Sequence, residues 1–183
     1  LTKTNSTGDW SNYNLTTTGA MTTTANINKK NVALTAITAD SKTYDATTAA
    51  TVSAGTLTGA VGAETLLVSG TGTFDTANAG TGKTVTVANV AALTQTNGTG
   101  NWSNYNLATT GAMTTTANIN KKDVTLTAIT ADSKTYNASA AANISAGTVT
   151  GMVPTETLLI SGTGAFNDAN AGTGKTVTVA NTA

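Results

Sequence analysis

The sequence has no cysteine, no histidine and only one proline, and all nine of its cations are lysine. Without cysteine there is no disulfide framework and no thiolate chemistry. With histidine missing too, Ser-His and Cys-His nucleophiles and zinc sites of the usual kind are excluded. Nine acids balance the nine lysines, so the net charge is zero, and charged residues make up 10% of the chain against about 25% in an average domain. A nucleic-acid binder carries a basic footprint, which is missing here. No polybasic run marks a membrane surface, and no apolar run has transmembrane length. The expectation is a chain with no catalytic residues, no cofactor, no nucleic-acid partner and no membrane insertion. Aromatics are scarce as well, with two Trp, four Tyr and two Phe.

What is abundant is threonine: 45 of 183 residues. Its β-branch favours strands, and its hydroxyl keeps an outward face wet without charge. A chain near zero charge has weak protection against self-association. The second feature is a repeat of 92 residues. Of 91 aligned positions 20 differ and 71 are identical, with Trp10 on Trp102, Tyr13 on Tyr105, Tyr44 on Tyr136 and Phe74 on Phe166. A fixed period marks a repeat array.

Short strand signals run through each copy. Asn31–Ala39 alternates Val32, Leu34 and Ala36, and Ile37 then breaks the alternation, which predicts a bulge. Thr51–Thr58 and Glu64–Phe74 follow, the second with Leu66, Val68, Gly70, Gly72 and Phe74 on one side. Lys83–Asn89 puts Val85 and Val87 inward. Trp102–Thr109 and Met113–Asn120 are two more candidates, and Gly59–Glu64 is the best place for one helical turn. The fold class is mostly β, as tandem modules of about 92 residues, β-grasp-like or β-sandwich-like, in an elongated array.

A charged pair flanked by Asn makes a natural joint, so the inter-module joint is placed at Lys29-Lys30 and Lys121-Lys122. Residues 29–120 then form one complete module. Residues 1–28 are the C-terminal strands of a preceding repeat, and 121–183 an incomplete following repeat without its last two strands. The chain starts at Leu1 with no signal peptide, so it reads as a segment of something longer. A body without its final strands exposes a sheet edge, and a detached two-strand tail is not stable alone. The tail of one copy and the body of another together contain a whole module, which points to strand addition and head-to-tail filaments.

The run Lys42-Thr43-Tyr44-Asp45-Ala46-Thr47-Thr48-Ala49-Ala50 resembles the YDG repeat of large bacterial surface proteins related to filamentous-haemagglutinin-type adhesins. Ser69–Phe74, Asn78–Val85, Asn104–Leu107 and Thr115–Ile119 match the same repeat in order. The glycine of the naming motif is Ala46 here, and the second copy reads Tyr136-Asn137-Ala138. The resemblance implies a "mostly β-grasp" module in a secreted, extended bacterial cell-surface protein, with no enzymatic activity and no catalytic residues.

Four candidate sites remain. Gly80-Thr81-Gly82-Lys83-Thr84 ends like a phosphate-binding loop, but Ala77 stands where the pattern needs glycine, and a strand rather than a helix follows. Asp168 and Asn170 resemble the front of a calcium loop. The closing Glu is missing and the first copy has Thr76 in place of Asp168, so an Asx turn is the better reading. Trp10 and Tyr13, like Trp102 and Tyr105, could stack on a sugar or partner, or pack in the core or between modules. Tyr44 and Tyr136 are further interface or packing candidates. Only Asp40/Asp132 and Glu64/Glu156 stay acidic in both copies.

The functional expectation is a structural segment of an extracellular adhesin stalk or filament whose partners are copies of itself. The alternative is a multivalent module binding glycan, protein or a host or environmental surface. The two differ over whether the aromatic pair lines an open groove or is packed away.

Overall fold

The computed structural model describes residues 2–180. It is mostly β. One sheet takes β1 (Lys30–Ala39), β2 (Lys42–Thr43), β3 (Ala49–Thr58), β4 (Leu66–Phe74), β5 (Gly80–Val87), β6 (Thr94–Asn97), β7 (Tyr105–Leu107) and β8 (Met113–Asn120). Its order is β2-β8-β5-β4-β3-β1-β7, with β6 paired to the first half of β4. A second sheet has the order β12-β11-β10-β9, built from β9 (Thr125–Ala131), β10 (Ala141–Thr150), β11 (Gly162–Phe166) and β12 (Val177–Thr178). Helix among the described residues is confined to 3-10 turns at Trp10–Asn12, Val90–Ala92 and Trp102–Asn104.

The sequence pattern explains the core. In β1 the register shifts between Leu34 and Ala36, at the break in alternation, so that Val32, Leu34 and Ile37 are all buried. In β4, Leu66, Val68 and Phe74 point inward, and in β5 so do Val85 and Val87. Gly55 of β3 leaves the room in which β1 and β4 meet. A Cβ there would sit 2.3 Å from Val68 Cγ2 and 2.6 Å from Leu34 Cδ1. Two buried clusters result. One gathers Val32, Leu34, Val52, Val68, Trp102 and Tyr105, and the other Ala50, Phe74, Val85, Ala117 and Ile119.

The two sheets share a plan, and their differences follow one rule. β3 and β10 are the same length, and β4–β5 and β11–β12 pair in the same register. Where β7 pairs beside Lys30–Val32, the counterpart Lys122–Val124 is not strand. Where β6 pairs beside Leu66–Ser69, Leu158–Ser161 is not strand. β5 runs from Gly80 beside β8, but β12 only from Val177, and β2 has no counterpart. Each of these shortfalls lies where the first sheet pairs with β6, β7 or β8, because a ladder needs both sides.

Residues 2–28, expected to carry strands of a preceding repeat, hold none, and apart from the 3-10 turn they are irregular and exposed. Their counterparts form β6, β7 and β8 by pairing with β4, β1 and β5. Here that surface is already occupied by residues 94–120.

Candidate strand-closing interface

β8 enters the sheet between two earlier pieces of the chain. It runs parallel to β2, with Ile119 opposite Lys42, and antiparallel to β5, with Thr115 opposite Val85. Side chains add to the ladder. The Asn118 N–H donates to Ser41 Oγ at 3.0 Å, and the Gly82 N–H donates to Asn118 Oδ1 at 2.8 Å. The Tyr44 N–H donates to the Asn120 carbonyl at 2.8 Å. Ala117 and Ile119 complete the cluster of Ala50, Phe74 and Val85, with Tyr44 packed at its edge.

The motif that carries the family resemblance builds one wall of this seat. Asp45 Oδ1 accepts from Lys42 Nζ at 2.7 Å, from the Thr47 N–H at 2.9 Å and from the Thr47 hydroxyl at 2.8 Å. The Lys42 ammonium and these Thr47 donors hold the Asp45 carboxyl down at about 2. Lys42 Nζ also lies 5.7 Å from the centroid of the Phe74 ring. Ala46 follows at φ 62°, a conformation for which glycine is the natural residue. The second copy keeps the turn by other means. The Ser139 N–H donates to Asn137 Oδ1 at 3.2 Å, Lys134 turns to the Ser139 and Ala141 carbonyls, and Ala138 has φ 56°.

The aromatic pair belongs to the same closing segment. Trp102 is 8% exposed and Tyr105 is 4% exposed. The Trp102 ring N–H donates to the Thr96 carbonyl at 3.0 Å. The Tyr105 hydroxyl donates to the Glu64 carboxylate and accepts the Val61 N–H at 3.1 Å. That bond to Glu64 raises the Tyr105 pKa above its ordinary value. In residues 29–120 the pair is therefore core, with its polar atoms satisfied. In the tail, Trp10 and Tyr13 meet edge-on at 6.5 Å between centroids, with Lys3 Nζ 5.3 Å from the Trp10 ring, and Tyr13 is exposed.

In the second unit the matching seat is open. A cavity of about 500 Å³ is lined by Ser133, Lys134 and Tyr136, by Gly172–Lys175 and Val177, and by Phe166. These are the counterparts of the walls that hold β8. Tyr136 is exposed there. Among the described residues one side-chain hydrogen bond joins the units: the Tyr44 hydroxyl donates to Oε1 of Glu156, the counterpart of Glu64, and this raises the Tyr44 pKa.

The remaining sequence candidates fall elsewhere. Asp168 Oδ1 accepts the Asn170 N–H at 2.8 Å, an Asx turn, and Lys175 Nζ sits 2.5 Å from the same oxygen. No group of three or more acidic, His or Cys side chains among the described residues could hold a metal ion. Gly80–Thr84 is strand, and Lys83 ion-pairs with Asp75 at 2.8 Å. Lys29, Lys30, Lys121 and Lys122 are all exposed, and Lys30 opens β1 opposite Tyr105. Among the described residues, no helix is long and apolar enough to cross a membrane.

Sequence reasoning missed Ser41, Gly82 and Asn118 as clamps for β8. It noted Glu64 only as an acid kept in both copies, which was the available signal for its tie to Tyr105.

Comparison with known families gives a match to the model described as YDG domain, over residues 28–113 and again over 120–183. The comparisons with curated proteins and with solved structures give no match.

Proposed function

Because the chain belongs to the YDG domain family, we propose that it is a structural tandem-repeat segment of a secreted bacterial surface adhesin stalk or extracellular filament, without enzymatic activity. Its partners in this reading are neighbouring repeats or further copies, joined head to tail.

The carrying observation is where the chain enters and leaves residues 29–120. It enters at Lys30, the start of β1, and leaves at Asn120, opposite Thr43 just beyond the end of β1. Entry and exit thus lie at opposite ends of a ten-residue strand, about 30 Å apart at roughly 3.3 Å per residue. Each further repeat of this kind adds length. Tension between the two ends pulls β8 along its own axis, loading its ladders with β5 and β2 together. The zero net charge costs nothing in such a role, while the outward threonines keep the surface wet.

Stretching the full chain between its ends by single-molecule force spectroscopy tests this. The expected trace shows one cooperative rupture of residues 29–120 with a contour gain of about 300 Å. Gradual extension at low force, without a rupture, would count against the load-bearing reading.

The alternative, a glycan or protein site on every copy, draws on the exposed Trp10 and Tyr13. It is weakened because the same pair is buried in residues 29–120. Saturable quenching of Trp10 fluorescence by a glycan, lost on Trp10→Phe, would favour it.

A further inference from the structure

We propose that residues 13–28 of one chain dock into the open seat on residues 121–180 of a second copy, in the register that residues 105–120 hold on residues 29–87. This rests on the head-to-tail reading above and gives it a defined joint.

Four observations converge. First, the donor is the right sequence. Residues 13–28 differ from 105–120 only at Thr16, where the second copy has Ala108. Second, the acceptor is unchanged where it matters. Ser133–Tyr136 and Gly172–Val179 repeat Ser41–Tyr44 and Gly80–Val87 residue for residue. Third, both surfaces are uncovered. On the donor, Ile27 is 102% exposed and Met21 80%, whereas Ile119 is 1% exposed. On the acceptor, Leu126 and Ile129 are 46% and 42% exposed, against 3% and 5% for Leu34 and Ile37. Fourth, the cavity of about 500 Å³ has the walls that a strand occupies in the complete unit.

The contacts of the joint follow by moving each known contact along by one repeat. The Asn26 N–H meets Ser133 Oγ, the Gly174 N–H meets Asn26 Oδ1, and the Tyr136 N–H meets the Asn28 carbonyl. Ala25 and Ile27 cover Phe166 and Val177. Leu15 and Met21 reach the face of Val124 and Leu126. Tyr44 holds Oε1 of Glu156, whereas Tyr105 bonds Oε2 of Glu64. A carboxylate accepts on both oxygens, so Oε2 of Glu156 remains for the incoming Tyr13. Donor and acceptor lie on different parts of each chain, so the contact is heterologous and propagates.

The experiment is cross-linking of the full chain, which has no cysteine of its own. Thr84 and Thr116 are opposite one another in the β5–β8 ladder and both exposed, so Thr24 and Thr176 face each other in the joint. The double variant T24C/T176C is expected to give a ladder of disulfide-linked multimers on mild oxidation. T23C/T176C, with one cysteine on the other face, is expected to give at least tenfold less. Ile27→Asp should shift the chain to monomer in light scattering, with the fluorescence of buried Trp102 unchanged. A parent chain that stays monomeric at all concentrations overturns the proposal, as do a cross-link closing within one chain and equal cross-linking by the two variants. A rupture under force in such a monomer would leave the structural reading standing while removing the joint.

Discussion

Ala46 sits in a left-handed turn, φ 62°, at the position where the family motif has glycine. The left-handed region costs an L-residue about 1 kcal/mol or more, and glycine escapes most of that. Ala46→Gly is therefore expected to stabilise residues 29–120 by about 1 kcal/mol, read as a higher urea midpoint with unchanged slope. Next to it, Asp45 carries the pH response of the turn. Its folded pKa, about 2, lies below the ordinary 3.8. A depressed carboxyl stabilises the fold above the unfolded value and loses that effect as the pH falls from near 4 toward 2. Following the Asp45 carboxyl by NMR should give a midpoint near 2, and Lys42→Met should move it upward. The motif was visible in the sequence, but its purpose was not. Nothing local says that Tyr44 will offer its N–H to Asn120, because that partner lies across the fold.

At the scale of the strand, β8 shows how far pattern reading reaches. Met113–Asn120 was legible from composition and its limits match the structure, and β1, β3, β4 and β5 were legible from alternation. β6 was not, because Thr94–Asn97 is polar and exposed on every residue and has no periodicity to read. β2 is two residues long and exists only through its pairing with β8. Ile119, 1% exposed, is the apolar anchor of β8. Ile119→Ala is expected to cost about 2–5 kcal/mol, seen as a lower denaturation midpoint of residues 29–120. Gly55→Ala forces a methyl against Val68 and Leu34 and should cost about 1–3 kcal/mol. Ile27→Ala, the same change in the tail, should leave the stability of residues 29–120 unaltered.

At the scale of the molecule, one sequence adopts two states. Residues 105–120 are laid into a sheet, and residues 13–28, almost the same string, form no strand and are exposed. Hydrogen exchange on the dilute chain should show the first segment protected and the second exchanging freely. Peptides containing Ala108 or Thr16 distinguish them by mass. Raising the concentration should protect the second segment too if the joint forms. The period was plain in the sequence. The cavity was foreseen only as an exposed sheet edge, since its walls come from segments about 40 residues apart.

The near-identity of those two segments also sets a problem of timing. When the chain leaves the ribosome amino end first, residues 13–28 appear before the body formed by residues 29–87, and residues 105–120 appear after it. The segment that appears first thus has nearly the same side chains for that groove as the one that fills it. The one difference between them lies at Ala108, whose N–H bonds to the Val32 carbonyl, so almost nothing in the side chains separates the early claimant from the late one. Loop length and order of arrival must make the distinction instead. A chain whose parts are interchangeable gains easy extension and accepts a standing risk of assembling with its own parts exchanged.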